Sequence, residues 1–183
     1  MLTSRTGILV RAVEGRDDFA ARPETYLADL FGDEDAAAEA WLRIGVCHKL
    51  RYNDGVVRLA WDGIPLLGVP NWDDVCGIWH SLVGTVDGYL SSGRGETVFP
   101  DQPLQVILER IRGGALVTVG DTRLRLDPAA FCVALLDEAE RFWSWTERHD
   151  IPVDAAWALT DVARIRRYQA ATGGGSSRST EVR

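Results

Sequence analysis

The chain has 183 residues, 46% of them hydrophobic, with seven tryptophans and a formal net charge of −7. That is ample for one apolar core and short for two full domains. The acidic balance weighs against nucleic acid, whose phosphates call for a basic face, and no apolar run approaches the roughly 20 residues of a membrane span.

Taken in chain order, Thr6–Val13 reads as a first strand, rich in β-branched and aliphatic residues. Arg16–Phe31 predicts one or two helical turns, with Tyr26, Leu27, Leu30 and Phe31 as the apolar face. Asp33 then caps a helix from Glu34 whose apolar positions are Ala37, Ala40, Trp41, Ile44 and Cys47. Leu50–Tyr52 is a further short strand, with Asn53-Asp54-Gly55 as a turn. The pair Asp62-Gly63 between VVRLAW and IPLL predicts a hairpin through a type I′ turn, which needs positive φ at both central residues. Val57, Leu59 and Trp61 share one face of it; Val56, Arg58 and Ala60 share the other.

Asn71 is placed to cap a long helix running to about Ser91, stopped by Gly93. Thr97–Phe99 is a short strand. Leu104–Ile111, Ala115–Val119 and Arg123–Asp127 form a meander turned at Gly113-Gly114 and Gly120-Asp121. Asp127-Pro128 opens another helix, striped by Phe131, Leu135, Ala139 and Phe142, and a last helix starts near Val153. The expected fold is α+β: an antiparallel sheet (the hairpin plus the three-stranded meander) with helices packed mainly on one face. Residues 1–172 form a single globular domain and 173–183 a flexible, glycine-led tail.

Chemistry concentrates in NWDDVCGIWH, residues 71–80. At about 100° per residue, Asp73, Cys76, His80 and Asp87 fall on one flank of the apolar helix face. Cys76 and His80 stand one turn apart but lack two further ligands at plausible spacing, so no metal site is expected. His80 and Asp73 are the catalytic candidates, although an imidazole–carboxylate pair would need a partner from another element. The binding candidates are Trp72, Cys76 and Asp87 near that flank, Phe99, Asp101 and Gln102 on the proline-bounded loop 99–103, and Trp145. Trp143 and Trp145 cannot face the same way on one helix, so at least one is expected to be exposed or to cover a groove; the other tryptophans read as core. Gly77, Gly84 and Gly88 share the face opposite the core, where something is expected to come close, a second copy of the chain included. No P-loop, dinucleotide fingerprint, HExxH or GxSxG occurs. Three cysteines without CxxC spacing, and an N-terminal apolar run too short for a secretion signal, point to the cytoplasm.

The run YLSSGRGETVFPDQPLQ, followed by the meander and DPAAFCVALLDEAERFW, resembles small acidic proteins of unassigned function from high-GC actinobacteria, some of them immunity- or antitoxin-like in style. The likeness spans roughly residues 56–145 and brings no catalytic residues with it. It implies a non-enzymatic immunity- or accessory-type protein that binds a protein or peptide, without a cofactor, nucleic acid or membrane. The alternative is a small cofactor-free enzyme, tailoring a secondary metabolite, with His80 and nearby carboxylates lining a cleft for a small-molecule ligand.

Overall fold

Among the described residues, two antiparallel sheets and five α-helices build an α+β fold. The structure is a computed structural model that describes residues 1–47 and 54–173, with backbone alone at 44–47 and 172–173. The strand expected at Leu50–Tyr52, together with Asn53, His48 and the tail from 174, lies outside the described residues, as do the side chains of Ile44 and Cys47.

The first sheet contains β1 (Leu2–Leu9), β2 (Leu27–Asp29), β3 (Asp54–Trp61) and β4 (Ile64–Leu67) in the order β2-β1-β3-β4, and the short β5 (Asp73–Asp74) also pairs with β3. The second contains β6 (Arg94–Val98), β7 (Gln105–Ile111), β8 (Gly114–Val119) and β9 (Thr122–Leu126) in chain order. The helices are α1 (Arg16–Ala21), α2 (Glu34–Cys47), α3 (Val75–Ser92), α4 (Pro128–Arg148) and α5 (Ala155–Gly173). Hairpin and meander thus belong to separate sheets, with α3 packed against both β3 and β6.

The Asp62-Gly63 turn has φ of 49° and 79°, positive at both residues as the type I′ turn requires. Val57, Leu59 and Trp61 enter the main core, while Val56 joins a smaller cluster with Leu9, Phe19 and Tyr26 on the other face of the first sheet. Helix α1 therefore covers the face opposite the main core, and helices lie on both faces of this sheet.

Several boundaries differ from expectation. The first strand starts at Leu2 and ends at Leu9, because its polar first half pairs with β3 from Leu2↔Trp61 onward. Only α1 and a 3-10 turn at Pro23–Thr25 form in the second segment; Leu27–Asp29 leave the helical pattern to pair with the free edge of β1. Asp54 and Gly55 lie inside β3, not in a turn. A Cβ on Gly55 would sit 2.2 Å from the Gly7 carbonyl oxygen, so glycine permits the close approach of β1. Asn71 caps a 3-10 turn by accepting the Gly68 N–H, and the cap of α3 is Asp74, whose Oδ1 accepts the Cys76 N–H at 3.0 Å. Asp127 caps α4 as expected, accepting the Ala129 N–H at 2.9 Å.

Helix α4 runs through the middle of the aromatic core. Its Phe131 meets Trp61 of β3, Phe142 stacks on Trp79 of α3, and Trp145 stacks on Trp41 of α2. Neighbours on opposite sides explain why Trp143 and Trp145 are both buried, at 1% and 0% exposure, against the expectation that one would be open. Helical geometry does point them apart, but each direction meets another helix. Among the described residues neither indole N–H finds an acceptor, a cost of roughly 1–3 kcal/mol each that the packing of these large rings must offset. No helix among the described residues is long and apolar enough to cross a membrane.

Candidate functional site

His80 lies near the start of α3 and is half-buried. Its imidazole sits between two indoles: Trp143 of α4 at 4.5 Å between centroids and Trp157 of α5 at 5.1 Å. Burial lowers its pKa below the usual imidazole value, and the carboxylates of Asp74, Asp161 and Asp154 oppose that shift without cancelling it. The ring is therefore neutral at pH 7. Among the described residues it makes no hydrogen bond, so what holds it is aromatic packing.

Trp157 is the outer wall. It is 57% exposed, the largest apolar side chain so placed. Its backbone N–H is received by Asp154 at 3.1 Å at the opening of α5, which fixes the helix start beneath the ring. The helix itself is tied to α3 by Arg164, which donates to Asp87 at 2.8 and 3.2 Å and to Asp161 at 2.9 Å. Asp87 is thus committed to this inter-helix bridge.

Asp73 does not join His80. It precedes the helix in β5, is fully buried, and its carboxylate serves backbone donors: Asp74 N–H at 2.7 Å, Asp101 N–H at 3.0 Å and Gln102 N–H at 3.1 Å. Gln102 in turn donates its amide to the Trp72 carbonyl at 2.5 Å. The loop 99–103 is therefore clamped onto the start of α3, and its Phe99 is buried at 3% exposure. Phe99 and the 0%-exposed Trp145 are corrected from binding candidates to core; Asp101 remains exposed on the loop. Trp72 is half-buried against Phe19 in the smaller cluster, and Cys76 is half-buried against the main core.

Crowding of carboxylates accompanies this clamp. Burial raises the pKa of Asp54, and Asp101, Asp74 and Asp73 raise it further; burial likewise raises Asp74 above its ordinary value. Among the described residues no three His, Cys, Asp or Glu side chains are grouped to hold a metal ion.

The glycine face of α3 is largely occupied by the chain itself. A Cβ on Gly77 would lie 2.7 Å from Pro100, and one on Gly88 would lie 2.9 Å from the Gly95 Cα, whereas Gly84 faces open space. Strand β6 crosses so closely that a Cβ on Gly95 would fall 1.8 Å from the Thr85 carbonyl oxygen. The close approach predicted for Gly77 and Gly88 is real but internal, which leaves Gly84 alone of the three for a second copy.

Comparison with protein-family models, curated proteins and solved structures finds no match to this chain. Trp157 is the site residue that sequence reading passed over as core, whereas Trp143, flagged there together with Trp145, is buried behind His80. One signal could have found Trp157: the buried stripe Ala155, Ala158, Val162, Ile165 keeps helical spacing, and Trp157 falls about 200° from Ala155, on the far side of it.

Proposed function

We propose that this protein acts by binding, as an immunity- or accessory-type cytoplasmic protein whose protein or peptide partner docks over Trp157 and His80. The observation that carries this reading is a large indole left 57% exposed yet held at 5.1 Å on a buried-side imidazole. Such a ring offers contact area while losing little conformational entropy on binding, the property of interface hot spots. Its surroundings favour a basic partner group. Asp154 and Asp74 flank His80, and an arginine or lysine over the indole gains cation–π attraction as well as charge complementarity. No cofactor enters this reading.

A catalytic pairing of His80 with Asp73 is disfavoured by the three backbone N–H groups that Asp73 already serves. Affinity capture with wild type, Trp157→Ala and Val98→Ala as the bait tests the proposal, with quantitative mass spectrometry as readout. Val98 is exposed on β6, on a different element. A basic protein retained by wild type and Val98→Ala but lost with Trp157→Ala supports the patch. Identical retention by all three baits overturns it.

A further inference from the structure

Strand pairing sets Arg5 of β1 directly opposite Arg58 of β3, on the face that carries Leu9 and Val56 and away from the main core. Like charges facing one another across a ladder are destabilising. Relief would come from an acidic neighbour, as it does elsewhere in this chain: Arg22, Arg94, Arg148, Arg164 and Arg166 each reach a carboxylate. The side chains of Arg5 and Arg58 have no ion pair or hydrogen bond among the described residues. Glu24 and Asp29 line a narrow groove of about 160 Å³ together with these two arginines, and neither acid forms an ion pair with them. On the other side the same two arginines border a wider groove of about 560 Å³, whose remaining walls include Thr3, Pro23, Pro65 and Val69 and no carboxylate. That volume falls in the range of about 300–1,000 Å³ typical of small-molecule sites.

We propose that Arg5 and Arg58 together hold the oxyanion group, carboxylate or phosphate, of a small acidic molecule whose body lies in the wider groove. Two planar guanidinium forks facing one anion can each donate two N–H groups, and the anion removes their mutual repulsion. Glu24 and Asp29 repel anions from the narrow side, so the ligand enters over Thr3 and Pro65. This site is a local reversal of the −7 net charge and is independent of the Trp157 patch.

The test titrates the full chain with inorganic phosphate and, separately, acetate, at constant ionic strength set by chloride. The readouts are the Nε–Hε NMR signals of the arginines and the melting temperature. Wild type should give a saturable shift at Arg5 and Arg58 and a rise in melting temperature. Arg5→Gln and Arg58→Gln should each bind at least tenfold more weakly, and without anion each should melt no lower than wild type, since the repulsion is gone. Saturation by phosphate alone assigns a phosphorylated ligand, by acetate alone a carboxylate, and by both the shared oxyanion chemistry. No saturable response to either ion, or a response undiminished in both variants, overturns the proposal.

Discussion

His149 and His80 sit at the two ends of one aromatic row, and the contrast between them separates structure from surface. From His149 the row runs through Trp145 at 4.9 Å, Trp41 at 5.8 Å, Phe142 at 6.2 Å, Trp143 at 4.7 Å and His80 at 4.5 Å. At the first end the imidazole lies 3.4 Å from the Glu34 carboxylate, which Arg148 also reaches at 2.9 Å. Charge closes that end and joins α4 to α2. At the second end no carboxylate among the described residues hydrogen-bonds to the imidazole; an exposed indole covers it instead. Water tolerates the charged closure, whereas it leaves the apolar one with surface still to bury. This difference is why the His80 end is the better place for a partner.

The sharpest break of the comparison is at the tryptophans. Trp145→Ala should cost about 3–5 kcal/mol in urea denaturation, because it empties a fully buried stack. Trp157→Ala should cost no more than about 1 kcal/mol, since only part of that ring is removed from water, and its main effect should fall on partner retention. Equal losses in the two variants would mean that Trp157 is a structural ring after all.

Acid titration separates the ends by pH window. His80 has a folded pKa below its unfolded 6.5, so the unfolded chain takes up the proton first. Stability should therefore fall as pH drops below about 6.5 and level off once the folded pKa is passed. Glu34 is held below its ordinary 4.5, chiefly by His149 and then by Arg148. Its contribution is present above 4.5 and is lost as pH falls through the lower folded value. In a series of urea midpoints, His80→Gln should flatten the upper window and Glu34→Gln the lower. If His80→Gln leaves the slope just below 6.5 unchanged, desolvation of this imidazole is not what drives it.

Smaller effects concern the surface ties. Arg164→Ala cuts a bridge to two acids that spans α3 and α5 and should cost about 0.5–1 kcal/mol. Arg148→Ala removes one exposed pair with Glu34 and should cost about 0.5 kcal/mol or less. Both losses should shrink in high salt, and thermal melts at two salt concentrations check this. A loss at Arg148 exceeding that at Arg164 would show that two acid partners do not make the α3–α5 tie the stronger of the two.

Much of the fold was legible because local chemistry enforced it. Asp62-Gly63 supplied both positive φ values, Asp127-Pro128 opened α4, and the alternation of Val57, Leu59 and Trp61 named the face that meets the core. Less legible were places where a neighbour overruled the local pattern. Leu27–Asp29 became a strand because β1 had an edge to fill, and Asn71 lost the α3 cap to Asp74 because β5 fixes the chain direction just before the helix. For the site, His80 was marked correctly as lying off the apolar centre, but its company was not. Asp73 looked like a flank residue only if the helix began early; once it begins at Val75, that carboxylate turns inward to the loop.

By itself, then, the sequence determined the α+β class, the hairpin, the meander and the apolar stripes, since each depends on φ preferences and on periods of 2 or 3.6 residues that act over a few positions. Tertiary structure alone decided that Trp143 and Trp145 are both buried, that β6 and Pro100 cover the α3 glycines, that Trp157 stands over His80, and that Arg5 faces Arg58. Each of those facts is a meeting between residues distant in the chain. Such meetings follow from how the helices cross and how the strands register, quantities fixed by the packing of the whole core and written in no single segment.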